Sequence, residues 1–83
     1  MEILPLREEE KIFLKQHHLL LKWKKACVLF NKNIKHPSLH VELLEPKWRG
    51  IFSFRIDRKY RALFRMITPR SVEVFRITNH YKR

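Results

Sequence analysis

The stretch GIFSFRIDRKYRALFRMITPRSVEVFRIT, residues 50–78, decides the fold. Behind its opening glycine the side chains alternate with period two: Phe52, Phe54 and Ile56 fall on one side, Ile51, Ser53 and Arg55 on the other. Asp57-Arg58-Lys59 is a turn signal. The alternation then resumes, with Tyr60, Ala62, Phe64 and Met66 opposite Arg61, Leu63, Arg65 and Ile67. Thr68-Pro69-Arg70-Ser71 reads as a second turn, and Val72 to Thr78 as a third strand with Phe75 and Ile77 on one side and Val74, Arg76 and Thr78 on the other. The pattern predicts a three-stranded antiparallel meander. One face collects Phe52, Phe54, Ile56, Ala62, Phe64, Met66, Phe75 and Ile77, the largest apolar area in the chain and hence the face to be covered. The other collects Ser53, Arg55, Arg61, Arg65, Arg76 and Thr78, and His80 joins it if the alternation runs two residues further.

Upstream, the period changes to that of a helix. Glu8, Glu9 and Glu10 sit where a helix N-terminus favours negative charge, and Glu10, Phe13, Leu14, His17 and Leu21 make a turn-spaced stripe, so a helix is expected from about Arg7 to Gln16. A second is expected from His18 to about Ile34, with Leu19, Trp23, Cys27, Phe30 and Ile34 as its apolar stripe and Asn33 and Pro37 as its stop. Ile3 to Leu6, interrupted by Pro5, is at most an edge strand or the lead into the first helix. His36 to Arg49, with two prolines and no sustained period, reads as a long connector, of the length at which loops tend to carry function. The expected fold is therefore α+β, an N-terminal helix hairpin packed on one face of a small antiparallel sheet. Residues 1–83 form a single domain with no repeat or linker, since a chain this short buries only roughly 60% of its unfolded surface and supports one core.

The net charge is +11, and it is unevenly placed. Residues 1–45 hold eight basic and six acidic side chains, net +2, whereas residues 46–83 hold eleven basic and two acidic, net +9. Eight of those eleven are arginine, whose planar fork of donors suits bidentate phosphate contact, whereas lysine solvates helix surfaces. Four arginines on one sheet face repel one another unless an anion comes to them, so nucleic acid is the first candidate partner. A small basic surface that is merely soluble remains the plainer reading for any single arginine. Lone Cys27 excludes a disulfide framework and points to a reducing compartment. The longest apolar runs are too short to span a membrane and the N-terminus lacks the marks of a signal peptide, so a cytoplasmic protein with no membrane partner is expected.

Few kinds of chemistry fit these residues. One glycine cannot build a phosphate loop, and no serine or cysteine has defensible histidine and carboxylate neighbours. His17 and His18, and His36 and His40, read better as exposed or capping side chains than as ligands, so no metal and no small-molecule cofactor is expected. His80 differs, because it ends the arginine face. Cleavage of RNA by its own 2′-hydroxyl needs a base, a cation for the phosphorane charge and an acid for the departing 5′ oxygen. Glu42, Arg61 and His80 are of the right types, although by spacing alone Glu42 reads equally well as a solvated loop carboxylate.

The run Gly50-Ile51-Phe52-Ser53-Phe54-Arg55-Ile56, then Tyr60-Arg61-Ala62-Leu63-Phe64, then closing His80-Tyr81 resembles the RelE/ParE superfamily of toxin–antitoxin toxins, nearest its YoeB-like ribonuclease branch. The resemblance covers about residues 38–81, and the helix hairpin agrees in order alone. It implies a RelE-like fold and a metal-independent mRNA endonuclease, an mRNA interferase, acting on the ribosome and held inactive by a cognate antitoxin. It implies catalytic roles for Glu42, Arg61, His80 and Tyr81. Arg55, Arg65 and Arg76 are the expected RNA phosphate contacts. Where the branch has a lysine three residues after the glutamate, this chain has Glu45, and Lys47 and Arg49 are the candidates to supply that contact. Lys82 and Arg83 extend past the terminal pair. Two other readings are a toxin of the same fold that inhibits a protein such as gyrase, and a non-catalytic RNA-binding module. The co-occurrence of Glu42, Arg61, His80 and Tyr81 argues against the first, and toxicity on expression without an antitoxin separates toxins from the second.

Overall fold

The alternating segments become strands in the computed structural model, which describes residues 1–79. In chain order the elements are β1 (Glu2–Ile3), α1 (Glu8–Gln16), α2 (Leu20–Lys32), a 3-10 turn (Pro37–Leu39), β2 (Glu42–Leu43), a second 3-10 turn (Lys47–Arg49), β3 (Ile51–Arg55), β4 (Arg61–Thr68) and β5 (Ser71–Thr78). The sheet order is β1-β5-β4-β3-β2. The meander β3-β4-β5 is antiparallel, as its turns require, and β2 adds antiparallel to β3. The expectation of a purely antiparallel sheet needs one correction. β1 pairs parallel to β5, Glu2 with Ser71 and Ile3 with Val72, and the sheet is mixed. The long connector is also more ordered than its composition implies. It holds both 3-10 turns and β2, and Leu44 N–H reaches the Ile51 carbonyl at 2.8 Å to close a β2–β3 hairpin.

Helix α1 has three glutamates in its first turn and Lys15 in its last, which complements the helix dipole. It stops at a Schellman arrangement. His18 N–H bonds the Lys15 carbonyl, Leu19 N–H bonds the Leu14 carbonyl, and His18 takes φ 56°, a left-handed position usually given to glycine. Leu14 and Leu19, both buried, supply the apolar contact of that motif. The second helix therefore begins at Leu20 rather than at His18. Leu21, expected on the buried stripe of the first helix, is 82% exposed because the chain has turned before reaching it.

Both helices contribute to one core on one face of the sheet. Leu14, Leu19, Trp23, Ala26 and Phe30 meet Phe54, Ala62, Phe64, Val72, Val74 and Ile77. Phe30 lies 5.1 Å from Phe54 and 5.4 Å from Phe64 between ring centroids, the latter edge to face, and Phe52 stacks on Phe64 at 5.4 Å. Such pairs contribute about 0.5–1.5 kcal/mol beyond the area they bury.

Two residues assigned to this face from alternation are not in its core. Met66 is 43% exposed at the tip of the β4–β5 hairpin. Phe75 is on the other side of the sheet, because β4 and β5 pair Leu63 with Arg76 but Phe64 with Val74, leaving Phe75 as an extra residue. This bulge reverses the parity of β5, so Ile77 points into the core after it, while Val74 and Val72 do so before it.

The β3–β4 turn is held by Asp57. Its Oδ1 accepts from the Lys59 and Tyr60 backbone N–H groups, both at 2.8 Å, and its Oδ2 accepts from Lys22 Nζ of α2 at 3.1 Å. Burial works against the Asp57 charge, but these donors together hold its pKa below the ordinary aspartate value. The turn aspartate is thus bound to α2 and to its own turn.

Candidate functional site

The sheet face turned away from the helices is built in rows. In the middle row Glu42 of β2 stands opposite Ser53, Ser53 opposite Leu63, and Leu63 opposite Arg76. On one side of it Arg55, Arg61 and Thr78 form a row, and on the other Ile51, Arg65 and Glu73. Glu42 is consequently a half-buried edge-strand residue, not a loop carboxylate. Its backbone is paired, which fixes its direction.

Arg61 lies across this face. Its Nε donates to Ser53 Oγ at 2.9 Å, and its Nη2 donates to the Ser53 carbonyl at 3.4 Å and to the His40 carbonyl. His40 takes a left-handed φ of 44° at the end of the first 3-10 turn, two residues before Glu42. The guanidinium therefore ties β4 to the segment entering β2. Ser53, fully buried, is the middle link, since it pairs with Glu42 through the backbone and binds Arg61 through its hydroxyl. Sequence reading gave it no role beyond its position on the face.

Arg76 is exposed beside Leu63, and Arg55 is half-buried beside Arg61. Arg55 also borders a groove of about 520 Å³ between α2, the first 3-10 turn and the end of β3, together with Lys22, Lys25, Arg58, Leu29 and Ile56. Arg65 is engaged on the face itself, with its Nε 3.7 Å from Glu73 Oε1 and its Cζ 4.4 Å from the Phe75 ring centroid. Lys47 and Arg49 are exposed, but they belong to the turn before β3, on either side of Trp48, which is 84% exposed. Gly50 ends that turn at φ 66°, where a Cβ brings strain. Tyr81 and His80, the expected end of the face, lie outside the described residues, as do Lys82 and Arg83.

Two histidines and the cysteine have structural occupations. His36 Nδ1 accepts from Ser38 N–H at 3.1 Å and caps the first 3-10 turn, and His17 Nδ1 is 3.0 Å from the Tyr60 hydroxyl. Burial pushes the Cys27 thiol up to about 11, which keeps it protonated and unreactive at neutral pH. Among the described residues no three His, Cys, Asp or Glu side chains converge on a metal-sized site, and no helix is long and apolar enough to cross a membrane.

The face thus brings Glu42, Arg61 and Arg76 onto one surface, with Arg55 and Arg65 on flanking rows and Lys47 and Arg49 apart. Phe75 is the surface residue that alternation misplaced. A signal was present, because β5 carries two apolar parities, Val72 and Val74 followed by Phe75 and Ile77, and both cannot be kept without an extra residue. Chemically, the face offers a guanidinium already oriented by three acceptors, and a glutamate on the edge strand opposite the serine that binds it, an arrangement suited to binding a phosphodiester.

Sequence comparison yields no match to a family model and none to a curated protein. Comparison of structures does. The chain is similar to a YoeB/ParE toxin from Agrobacterium tumefaciens, with a TM-score of 0.70 and 17% identity over 98% of this chain and 100% of that one. It is similar to a chain of the heterotetrameric YoeB–YefM toxin–antitoxin complex from Staphylococcus aureus, with a TM-score of 0.67 and 17% identity over 96% of this chain and 94% of that one. A copper-bound variant of a Helicobacter pylori toxin gives a TM-score of 0.61 at 14% identity, covering 96% of this chain and 94% of that one. Two helices on a five-stranded mixed sheet are the fold of the YoeB/ParE toxins, and this chain has that fold over nearly its whole length.

Proposed function

We propose that the protein is the toxin of a type II toxin–antitoxin pair and a metal-independent endoribonuclease that cleaves mRNA on the ribosome. The observation that carries this reading is the Glu42–Ser53–Arg61 linkage on an open cationic face. The full-length likeness to YoeB/ParE toxins supports it. In this mechanism Arg61 holds the scissile phosphate and binds the phosphorane more tightly than the ground state, because it is oriented before the charge develops. Glu42 removes the 2′-hydroxyl proton, the 2′ oxygen attacks phosphorus, and the P–O5′ bond breaks to leave a 2′,3′-cyclic phosphate. His80 protonates the departing oxygen, with Tyr81 stacking on a base or orienting that leaving group. Arg55, Arg76, Lys47 and Arg49 contribute phosphate contacts.

The proposed regulator is an antitoxin protein whose acidic or apolar segment covers the same face, in the manner of an assembly like the Staphylococcus aureus toxin–antitoxin complex. The setting is cytoplasmic, where mRNA and ribosomes are found.

The test is single-turnover cleavage of ribosome-bound mRNA. Arg61→Ala is expected to lose on the order of 10²–10³ in rate, as for one preorganised donor, and lysine is not expected to restore it fully. His80→Ala is expected to lose about 10²–10⁴ while binding RNA nearly normally. Glu42→Ala and Tyr81→Phe complete the set. Wild-type rates in both Arg61→Ala and His80→Ala overturn the enzymatic reading.

A further inference from the structure

The bulge in β5 turns a phenyl ring out of the core and onto the cationic face. Phe75 has no partner in the β4–β5 register, and its ring carries the Arg65 guanidinium at 4.4 Å. The bulge is also clasped from outside the sheet. The Phe75 carbonyl accepts from Arg7 Nη2, Arg7 Nε is 3.1 Å from Glu10 Oε1, and Glu10 is 7% exposed. This chain of contacts runs from α1 to one backbone oxygen and holds β5 in the bulged register. Bulges are common beside functional sites, where they re-aim a side chain.

Arg65 is held from two sides, by the ring and by Glu73, while its side chain stays 51% exposed. A guanidinium fixed over an aromatic ring and half open to solvent presents a flat cationic surface. Half-buried Leu63 and Ile51 flank it on the same face, Arg76 lies in the neighbouring row and Arg61 in the row beyond that. Flat stacking surfaces set among phosphate-binding cations are how proteins hold single-stranded nucleic acid without reading its sequence.

We infer that Phe75 and Arg65 form a stacking platform for one unpaired nucleobase of the RNA strand whose phosphate Arg61 holds. The inference rests on the RNA reading given above and assigns Arg65 to a base, where sequence analysis gave it a phosphate. Arg65 and Arg61 are four residues apart along β4, about 13 Å at the usual strand rise, so the stacked base is displaced along the strand from the scissile phosphate. Glu73 serves as a positioning residue for the guanidinium.

The experiment measures binding of a short single-stranded oligonucleotide with 2′-O-methyl sugars, which lack the nucleophile and cannot be cleaved, and of copies with one abasic position moved along the strand. For the wild-type protein, one abasic position is expected to weaken binding about 5- to 150-fold, the usual range for one base on a protein ring. Phe75→Leu and Arg65→Lys are each expected to weaken binding of the intact strand by a similar factor and to show no further loss with that abasic position. Arg65→Lys changes an exposed side chain and keeps the charge, so it remains informative if Phe75→Leu does not fold. A phosphate contact alone predicts that lysine largely replaces Arg65, and that result overturns the inference. So do losses that simply multiply with the abasic change, and so does a pair of variants that bind RNA normally but fail to copurify with an antitoxin. If the wild-type protein binds no oligonucleotide and cleaves no ribosome-bound mRNA, the functional reading itself fails. If it cleaves but shows no position-specific abasic loss, only the platform fails.

Discussion

The two faces of the sheet come from the same three strands and solve opposite problems. On the helix side Phe30, Phe54 and Phe64 are each at most 1% exposed and touch one another, so its cohesion comes from area and shape. On the open side the same strands carry five arginine and glutamate side chains in the β3–β5 rows, and cohesion comes from directed contacts, Arg61 to Ser53 and Arg65 to Glu73 and Phe75. A covered face tolerates no polar group without a partner, whereas an open face tolerates cations because water solvates them until a ligand arrives. Stability should therefore reside on one face and binding on the other.

The strongest way to break that division is Phe64→Ala, expected to cost roughly 3–5 kcal/mol by opening a cavity beneath Phe30 and Phe54. A denaturant midpoint unchanged by it overturns the assignment of faces. The sharper comparison is between neighbours in β5. Val74→Ala, which removes a buried side chain, is expected to cost about 1.5–3 kcal/mol, and Phe75→Ala only about 1 kcal/mol despite the larger ring lost. If the order is reversed, strand alternation was right and the bulge is wrong.

Beside this apolar packing, the polar tie from α2 to the β3–β4 turn is weaker. Asp57→Ala is expected to cost about 1–2 kcal/mol at neutral pH through its two backbone hydrogen bonds, with the exposed Lys22 pair adding little. Because the folded-state pKa of Asp57 lies below its unfolded value, this contribution is complete above the ordinary aspartate value of about 4 and disappears as pH falls through the folded value. Urea midpoints measured between neutral and acid pH should drop less in Asp57→Asn than in the wild type. The smallest effect concerns the joint between the helices. His18→Gly relieves a left-handed side chain and is expected to raise stability by up to about 1 kcal/mol, read as a higher Tm.

On the open face, RNA affinity is expected to fall with salt at a log–log slope of about −2 to −3 for three or four phosphate contacts on a single strand. A flat response between low and physiological salt removes the argument from charge.

Strand alternation in residues 51–56 and 60–67, the two helical periods and the concentration of arginine after residue 46 could all be read along the chain, because each depends on neighbours a few residues apart. These local patterns assign Phe54, Phe64 and Trp23 to the core, and Arg61 and Arg76 to the open face. Tertiary structure decided the rest. The parity of β5 depends on which residue of β4 each amide meets, so Phe75 left the core only when Val74 paired with Phe64. Glu42 became a strand residue only when β3 offered it an edge, and β1 turned the sheet from antiparallel to mixed by meeting a strand some seventy residues away in sequence. Local sequence determines the period of an element, but register belongs to a pair of strands and is settled by the hydrogen bonds and packing they share.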